Sequence, residues 1–113
     1  MEFLSADSFT DSLARLTGDE QKSVKTTAFD LQVDPTGSGM SFHKLDRARD
    51  KNFWSVRASR DIRLIVHRTP GSLLLCYVDH HEPAYSWAER TFRATAFQQE
   101  ERDCTRAPFS RPP

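Results

Sequence analysis

Residues 53–68 read FWSVRASRDIRLIVHR, two runs in which apolar and polar side chains alternate. Alternation with a period of two is typical of β-strands that have one buried face. The polar residues 59–61 separate the two runs, so we predict an antiparallel hairpin. The apolar positions that should share one face of this hairpin are Trp54, Val56, Ala58, Ile62, Leu64 and Val66.

The chain after this hairpin continues into another strand. Residues 69–72 read TPGS, a strong turn sequence, and residues 73–78 read LLLCYV, a run typical of a central strand that is buried on both faces. Pro83 interrupts the pattern that follows, and we predict a short final helix from Ala84 to about Phe92.

The N-terminal third has the 3.6-residue spacing of two amphipathic helices, after a short strand over 3–5. Ser8 or Thr10 is placed to cap the first helix and Asp19 the second. The apolar positions that should pack on the sheet are Phe9, Leu13, Leu16, Val24, Ala28 and Leu31. The order β-α-α-β-β-β-α indicates an α+β domain, a helical hairpin packed on an antiparallel sheet.

A length of 113 residues is enough for one domain. We assign residues 1–92 to this domain and expect 93–113, which are proline-containing and without periodicity, to form a poorly ordered tail. The sequence has no apolar run near the roughly 20 residues of a spanning helix, and its first residues do not resemble a secretory signal. We therefore expect a cytoplasmic protein without membrane contacts.

Basic side chains are concentrated in residues 43–68, although the 16 basic and 16 acidic side chains of the whole chain cancel. This segment has only three acidic residues, and its basic residues are Lys44, Arg47, Arg49, Lys51, Arg57, Arg60, Arg63 and Arg68. Such clustering is the electrostatic footprint of nucleic-acid binding. It is equally compatible with a solvated hairpin face.

The tripeptide Asp79-His80-His81 contains side chains that ligate metals. Adjacent residues of an extended chain point in opposite directions, however, so the tripeptide by itself does not form a metal site. The sequence also lacks the glycine-rich motifs that bind nucleotide cofactors. We predict neither a metal nor a cofactor, and we interpret Cys76 as a small buried hydrophobic residue.

A set of residues suited to metal-free RNA cleavage is expected to gather at the strand ends. They are Arg57, Arg63, His67, His81 and Tyr85. Histidine can transfer protons near neutral pH, and arginine binds phosphate through paired hydrogen bonds. The alternative is that Arg63 and His67 are ordinary outward-facing sheet residues and that Tyr85 lies at the edge of the core.

Three segments together resemble the RelE/ParE toxin superfamily. Residues 53–68 are similar to its central hairpin, and residues 73–85 are similar to its last strand and the closing motif that ends in tyrosine. His43-Lys44-Leu45 is similar to the segment that leads into its sheet. The resemblance covers about residues 2–92 and implies a RelE-like fold with a curved antiparallel sheet.

The resemblance also implies a function and a set of site residues. Its ribonuclease members cleave mRNA in the ribosomal decoding site without a metal, and each is held by a cognate antitoxin. By this resemblance Arg63 stabilises the phosphate, Tyr85 is the tyrosine of the closing motif, and His81 stands where many members have arginine. Nucleic-acid contacts are expected from Lys44, Lys51, Arg57, Arg60 and His67.

Two alternatives stay open. Residues 79–90 also look like a RelE-like module found ahead of UvrD-type helicases, in which the fold would serve binding rather than catalysis. A third reading is a ParE-like inhibitor of DNA gyrase, because that branch shares the fold without needing a ribonuclease site.

Overall fold

The computed structural model describes residues 2–34 and 42–91, together with the backbone of 101–103. The elements in chain order are β1 (Glu2–Ala6), α1 (Asp7–Ala14), α2 (Gly18–Val33), β2 (Phe42–Lys44), β3 (Phe53–Arg57), β4 (Ile62–Thr69), β5 (Ser72–His80), α3 (His81–Arg90) and β6 (Glu101–Asp103). The strands form one sheet in the order β2-β3-β4-β5-β1-β6. Within the described ranges, no helix is long and apolar enough to cross a membrane.

Strands β3, β4 and β5 form the predicted antiparallel meander. The short strand β2, which was not predicted, extends it by pairing antiparallel with β3. Strand β1 differs from the expectation of a purely antiparallel sheet, because it pairs in parallel with β5, with Leu4 opposite Leu74. Strand β5 is apolar on both faces and so suits an interior position. Hydropathy does not reveal which strand will lie beside it, or in which direction.

The helical hairpin covers one face of the sheet, as predicted. Four of the six expected helix positions are fully buried there, and Leu13 and Leu16 pack at the margin. Their sheet partners include Val56, Leu64 and Val66, all of which are buried. The period-two and period-3.6 patterns therefore identified the two surfaces that form this core.

The helix starts differ from the predicted ones. The cap of α2 is Thr17 rather than Asp19, in a capping box in which the Glu20 backbone N–H donates to Thr17 Oγ1 and the Thr17 N–H donates to Glu20 Oε1. Helix α1 follows Ala6 directly and has no side-chain cap. Ser8 instead lies inside α1, where its hydroxyl donates to the Cys76 carbonyl at 2.6 Å and ties the helix to β5.

Helix α3 covers the opposite face of the sheet. It begins at His81, three residues before the predicted start. Pro83 does not prevent this, because it lies in the first helical turn, where the N–H that proline lacks would have no partner within the helix. Its Ala84 and Ala88 are buried against a second apolar cluster that includes Phe53 and Ile65.

Within the predicted tail, Glu101–Asp103 forms β6, antiparallel to β1 with Ser5 opposite Arg102. The other residues of 93–113 lie outside the described part of the chain, and so does Phe92, the predicted end of the last helix. The expected lack of order in the tail as a whole stays a prediction.

Candidate active site

A concavity of about 400 Å³ lies where α3 begins, at one end of the antiparallel meander. The meander brings the end of β3, the start of β4 and the end of β5 side by side at this end. The residues that line the concavity are His43, Lys44, Leu45, Arg57, Arg63, His81 and Tyr85. The described lining contains several cations and no carboxylate.

Two arginines from neighbouring strands line this concavity. Arg57 and Arg63 are directly opposite in the register of β3 and β4, and like charges in that position destabilise a strand pair. Neither guanidinium has a carboxylate within 4.0 Å in the described part of the chain. This arrangement is suited to an anion that would neutralise both side chains.

The backbone of the β3–β4 turn holds Arg63 in place. Its Nη1 donates to the carbonyl oxygens of residues 59, 60 and 62 at 3.1 to 3.3 Å. Its Nε and Nη2 make no hydrogen bond among the described residues, so part of the guanidinium is available to an anion. Arg57 is exposed, and its side chain makes no hydrogen bond with the part of the chain that the structure describes.

Helix α3 supplies two side chains that could take part in proton transfer. His81 and Tyr85 are one helical turn apart and share one face, with ring centroids 4.4 Å apart. The hydroxyl of Tyr85 lies 3.1 Å from Ser55 Oγ, so β3 fixes the position of the phenol. A histidine, an anchored phenol and two arginines are therefore brought together from three elements.

The structure gathers most but not all of the predicted residues. Arg63, His81 and Tyr85 line the concavity together with Lys44 and Arg57. Lys51 and Arg60 are exposed elsewhere, and Lys51 Nζ donates to the Asp46 carbonyl at 2.7 Å.

His67 departs most clearly from the predicted role in nucleic-acid contact. Only 4% of its surface is exposed, its Nε2 lies 3.0 Å from Asp50 Oδ2, and its ring packs edge-on against Phe53. The interaction with Asp50 satisfies a polar ring inside the core. We therefore leave His67 out of the candidate site.

His43 and Leu45 also line the concavity, although no site role was predicted for either residue. The signal that could have identified them is their position in the short strand β2 and just after it, because β2 pairs with β3 and places His43 opposite Ser55. A three-residue strand has too little alternation to be recognised from hydropathy.

His80, next to His81, has a different environment. Its Nδ1 contacts Asp61 Oδ2, and its Nε2 lies 3.4 Å from Glu20 Oε2. The hydrogen bond with Asp61 raises the pKa of His80, and the same bond lowers the pKa of Asp61. His80 thus links β5 to α2 and to the start of β4. Within the described residues, no three metal-ligating side chains converge.

No protein-family model and no curated protein matches the sequence. A solved structure does match: a chain of the RelB–RelE antitoxin–toxin complex from Methanococcus jannaschii, with a TM-score of 0.60 and 15% identity. The match covers 74% of this chain and 95% of that chain. The fold is RelE-like. The predicted fold class is confirmed, whereas the association of this RelE-like chain with helicases stays a prediction.

Proposed function

We propose that this RelE-like protein is the toxin of a toxin–antitoxin pair and that it cleaves mRNA on the ribosome without a metal. The observation that carries the proposal is the Arg57–Arg63 pair, which lies beside His81 and Tyr85 in a concavity whose described lining holds no carboxylate. The similar solved structure is an antitoxin–toxin complex. That likeness supports an antitoxin as the partner of this chain.

The concavity offers the groups that RNA transesterification needs. The RNA 2′-oxygen attacks the adjacent phosphorus, the P–O5′ bond breaks, and the products are a 2′,3′-cyclic phosphate and a 5′-hydroxyl. In this proposal His81 gives a proton to the leaving 5′-oxygen. Tyr85, anchored by Ser55, orients the 2′-hydroxyl, whose proton passes to bulk water as the 2′-oxygen attacks. Arg57 and Arg63 stabilise the additional charge of the phosphorane.

Induced expression of the wild type should arrest growth and cut translated mRNA. The fragments should carry 2′,3′-cyclic phosphate and 5′-hydroxyl ends, because hydrolysis by metal-activated water would leave other ends. His81→Ala should lower the cleavage rate by about 10²–10⁴ if His81 transfers a proton. Arg57→Ala should lower it by about 10²–10³ through loss of an anion-stabilising donor.

Arg60→Ala is the matched control, because it removes an exposed arginine that lies on the adjacent turn and does not line the concavity. This variant should cleave at the wild-type rate. Arg63→Ala is a less clean probe: it should reduce cleavage and also lower the melting temperature, because three turn carbonyls lose their donor.

The same experiment distinguishes the other readings. Intact mRNA together with retained RNA binding would favour the catalytically silent binding module. Intact mRNA together with inhibited DNA supercoiling would favour a gyrase inhibitor. Normal growth on wild-type expression, with mRNA and ribosomes intact, would exclude the nuclease.

A further inference from the structure

The concavity lined by Arg57, Arg63 and His81 is called the basic concavity below. A second, smaller cavity of about 240 Å³ adjoins it. The two share Lys44, Leu45 and Tyr85 as a common wall. The walls that belong to the small cavity alone are Asp46, Arg47 and Glu89. Its volume is far larger than the roughly 30 Å³ that one water molecule occupies in the liquid, which leaves room for a planar heterocycle.

One face of α3 runs through both cavities. His81, Tyr85 and Glu89 follow each other at intervals of four residues, so they lie on the same face with a rise of about 6 Å between neighbours. His81 lines only the basic concavity, Tyr85 lines both, and Glu89 lines only the small cavity. A ligand along this face would meet cations first, then an aromatic ring, then a carboxylate.

We propose that the small cavity binds the base of the nucleotide whose phosphate occupies the basic concavity, and that Glu89 selects guanine. The inference rests on the proposed function, because it takes the ligand of the basic concavity to be RNA. Tyr85 offers an aromatic wall, the kind of surface on which unpaired bases stack. Leu45 adds an apolar contact in the same wall.

The chemistry of a carboxylate explains the choice of base. An ionised carboxylate only accepts hydrogen bonds, through two adjacent oxygens. Guanine has two donors side by side, N1–H and N2–H. On adenine, cytosine and uracil the Watson–Crick donor has at least one acceptor directly beside it, which a carboxylate would repel. Glu89 can therefore form a paired hydrogen bond with guanine and with no other standard base.

Glu89 is better placed for this role than Asp46. Glu89 is half-buried and belongs to the helix face that carries His81 and Tyr85, whereas Asp46 is exposed in the loop after β2. Glu89 has no cation within 4.0 Å in the described part of the chain, so no ion pair there competes for its oxygens.

The test is a calorimetric titration of the purified protein with 3′-GMP, 3′-AMP, 3′-CMP and 3′-UMP. The wild type should bind 3′-GMP about 10- to 100-fold more tightly than the other three, the discrimination typical of one bidentate contact. Glu89→Gln should abolish this preference, because it weakens the paired contact with 3′-GMP and removes the repulsion of the other bases. Arg57→Ala should instead weaken all four by the same factor, because it acts on the phosphate.

Glu82→Gln is the matched control, because Glu82 is an exposed carboxylate on α3 that lines neither cavity. This variant should keep the preference for 3′-GMP. In cells, mapped cleavage sites should be enriched in guanine on the 5′ side of the cut for the wild type and not for Glu89→Gln.

The outcomes separate this inference from the proposed function. Equal affinities for the four nucleotides, no measurable affinity for any of them, or a preference that survives Glu89→Gln would overturn the guanine site. Cleavage of mRNA would then still support the nuclease. Selective 3′-GMP binding that depends on Glu89, in a protein that leaves mRNA intact, would support the guanine site and exclude the nuclease.

Discussion

Individual residues of the same type have different roles here, and their contacts separate those roles. Arg57 and Arg63 are neighbours across two strands, but only Arg63 is held by turn carbonyls. His67 is a buried partner of Asp50, whereas His81 faces the basic concavity. The residue type indicates the possible chemistry, and the environment determines which residue of that type can perform it.

The contacts of His80 predict a pH-dependent contribution to stability. Because folding raises the pKa of His80, this contribution is full below the ordinary histidine pKa of about 6.5 and disappears as pH rises through the higher folded value. The pKa of Asp61 is lowered, so the contribution of Asp61 to folding stability is lost only in acid, as pH falls through that lowered value.

Thermal melts of the wild type and of His80→Gln should therefore differ more at about pH 5.5 than at about pH 8.5. Ser86→Ala, which changes an exposed residue of α3 that carries no titratable group, is the control and should show no such pH-dependent difference. A gap in melting temperature of the same size at both pH values would contradict this role of His80.

At the scale of elements, the start of α2 depends on one capping box. Thr17→Ala removes the acceptor of the Glu20 N–H and should lower the free energy of unfolding by about 1 kcal/mol. Thr26→Ala changes the same residue type at an exposed position inside the helix and should be neutral or slightly stabilising. Urea unfolding measures both changes, and equal effects would argue against the capping role.

At the scale of the whole molecule, the described part of the core is built from residues before the tail. Both apolar clusters of the described residues lie between Phe3 and Ala88. Deletion of residues 94–113 should therefore leave a cooperative thermal transition in place, although it removes the pairing of β6 with β1. Circular dichroism measures this transition. A broad transition in the shortened protein would show that the tail is part of the cooperative unit.

Hydropathy alone was sufficient for much of the fold. The positions of the helical hairpin and of β3, β4 and β5, and the faces that they bury, follow from periods of 3.6 and two, which are properties of the local chain. The meander also places Arg57, Arg63 and the end of β5 together, because consecutive antiparallel strands joined by tight turns leave little freedom of arrangement.

Other features were decided only by the tertiary structure. The parallel pairing of β1 with β5, the burial of His67 and the meeting of Glu89 with Leu45 at one cavity all depend on which element packs beside which. A periodic pattern states that a face is buried but does not identify its neighbour, since many partners would satisfy the same apolar surface. The partner is chosen when the whole chain packs, and at that point a histidine either enters the core or stays at the site.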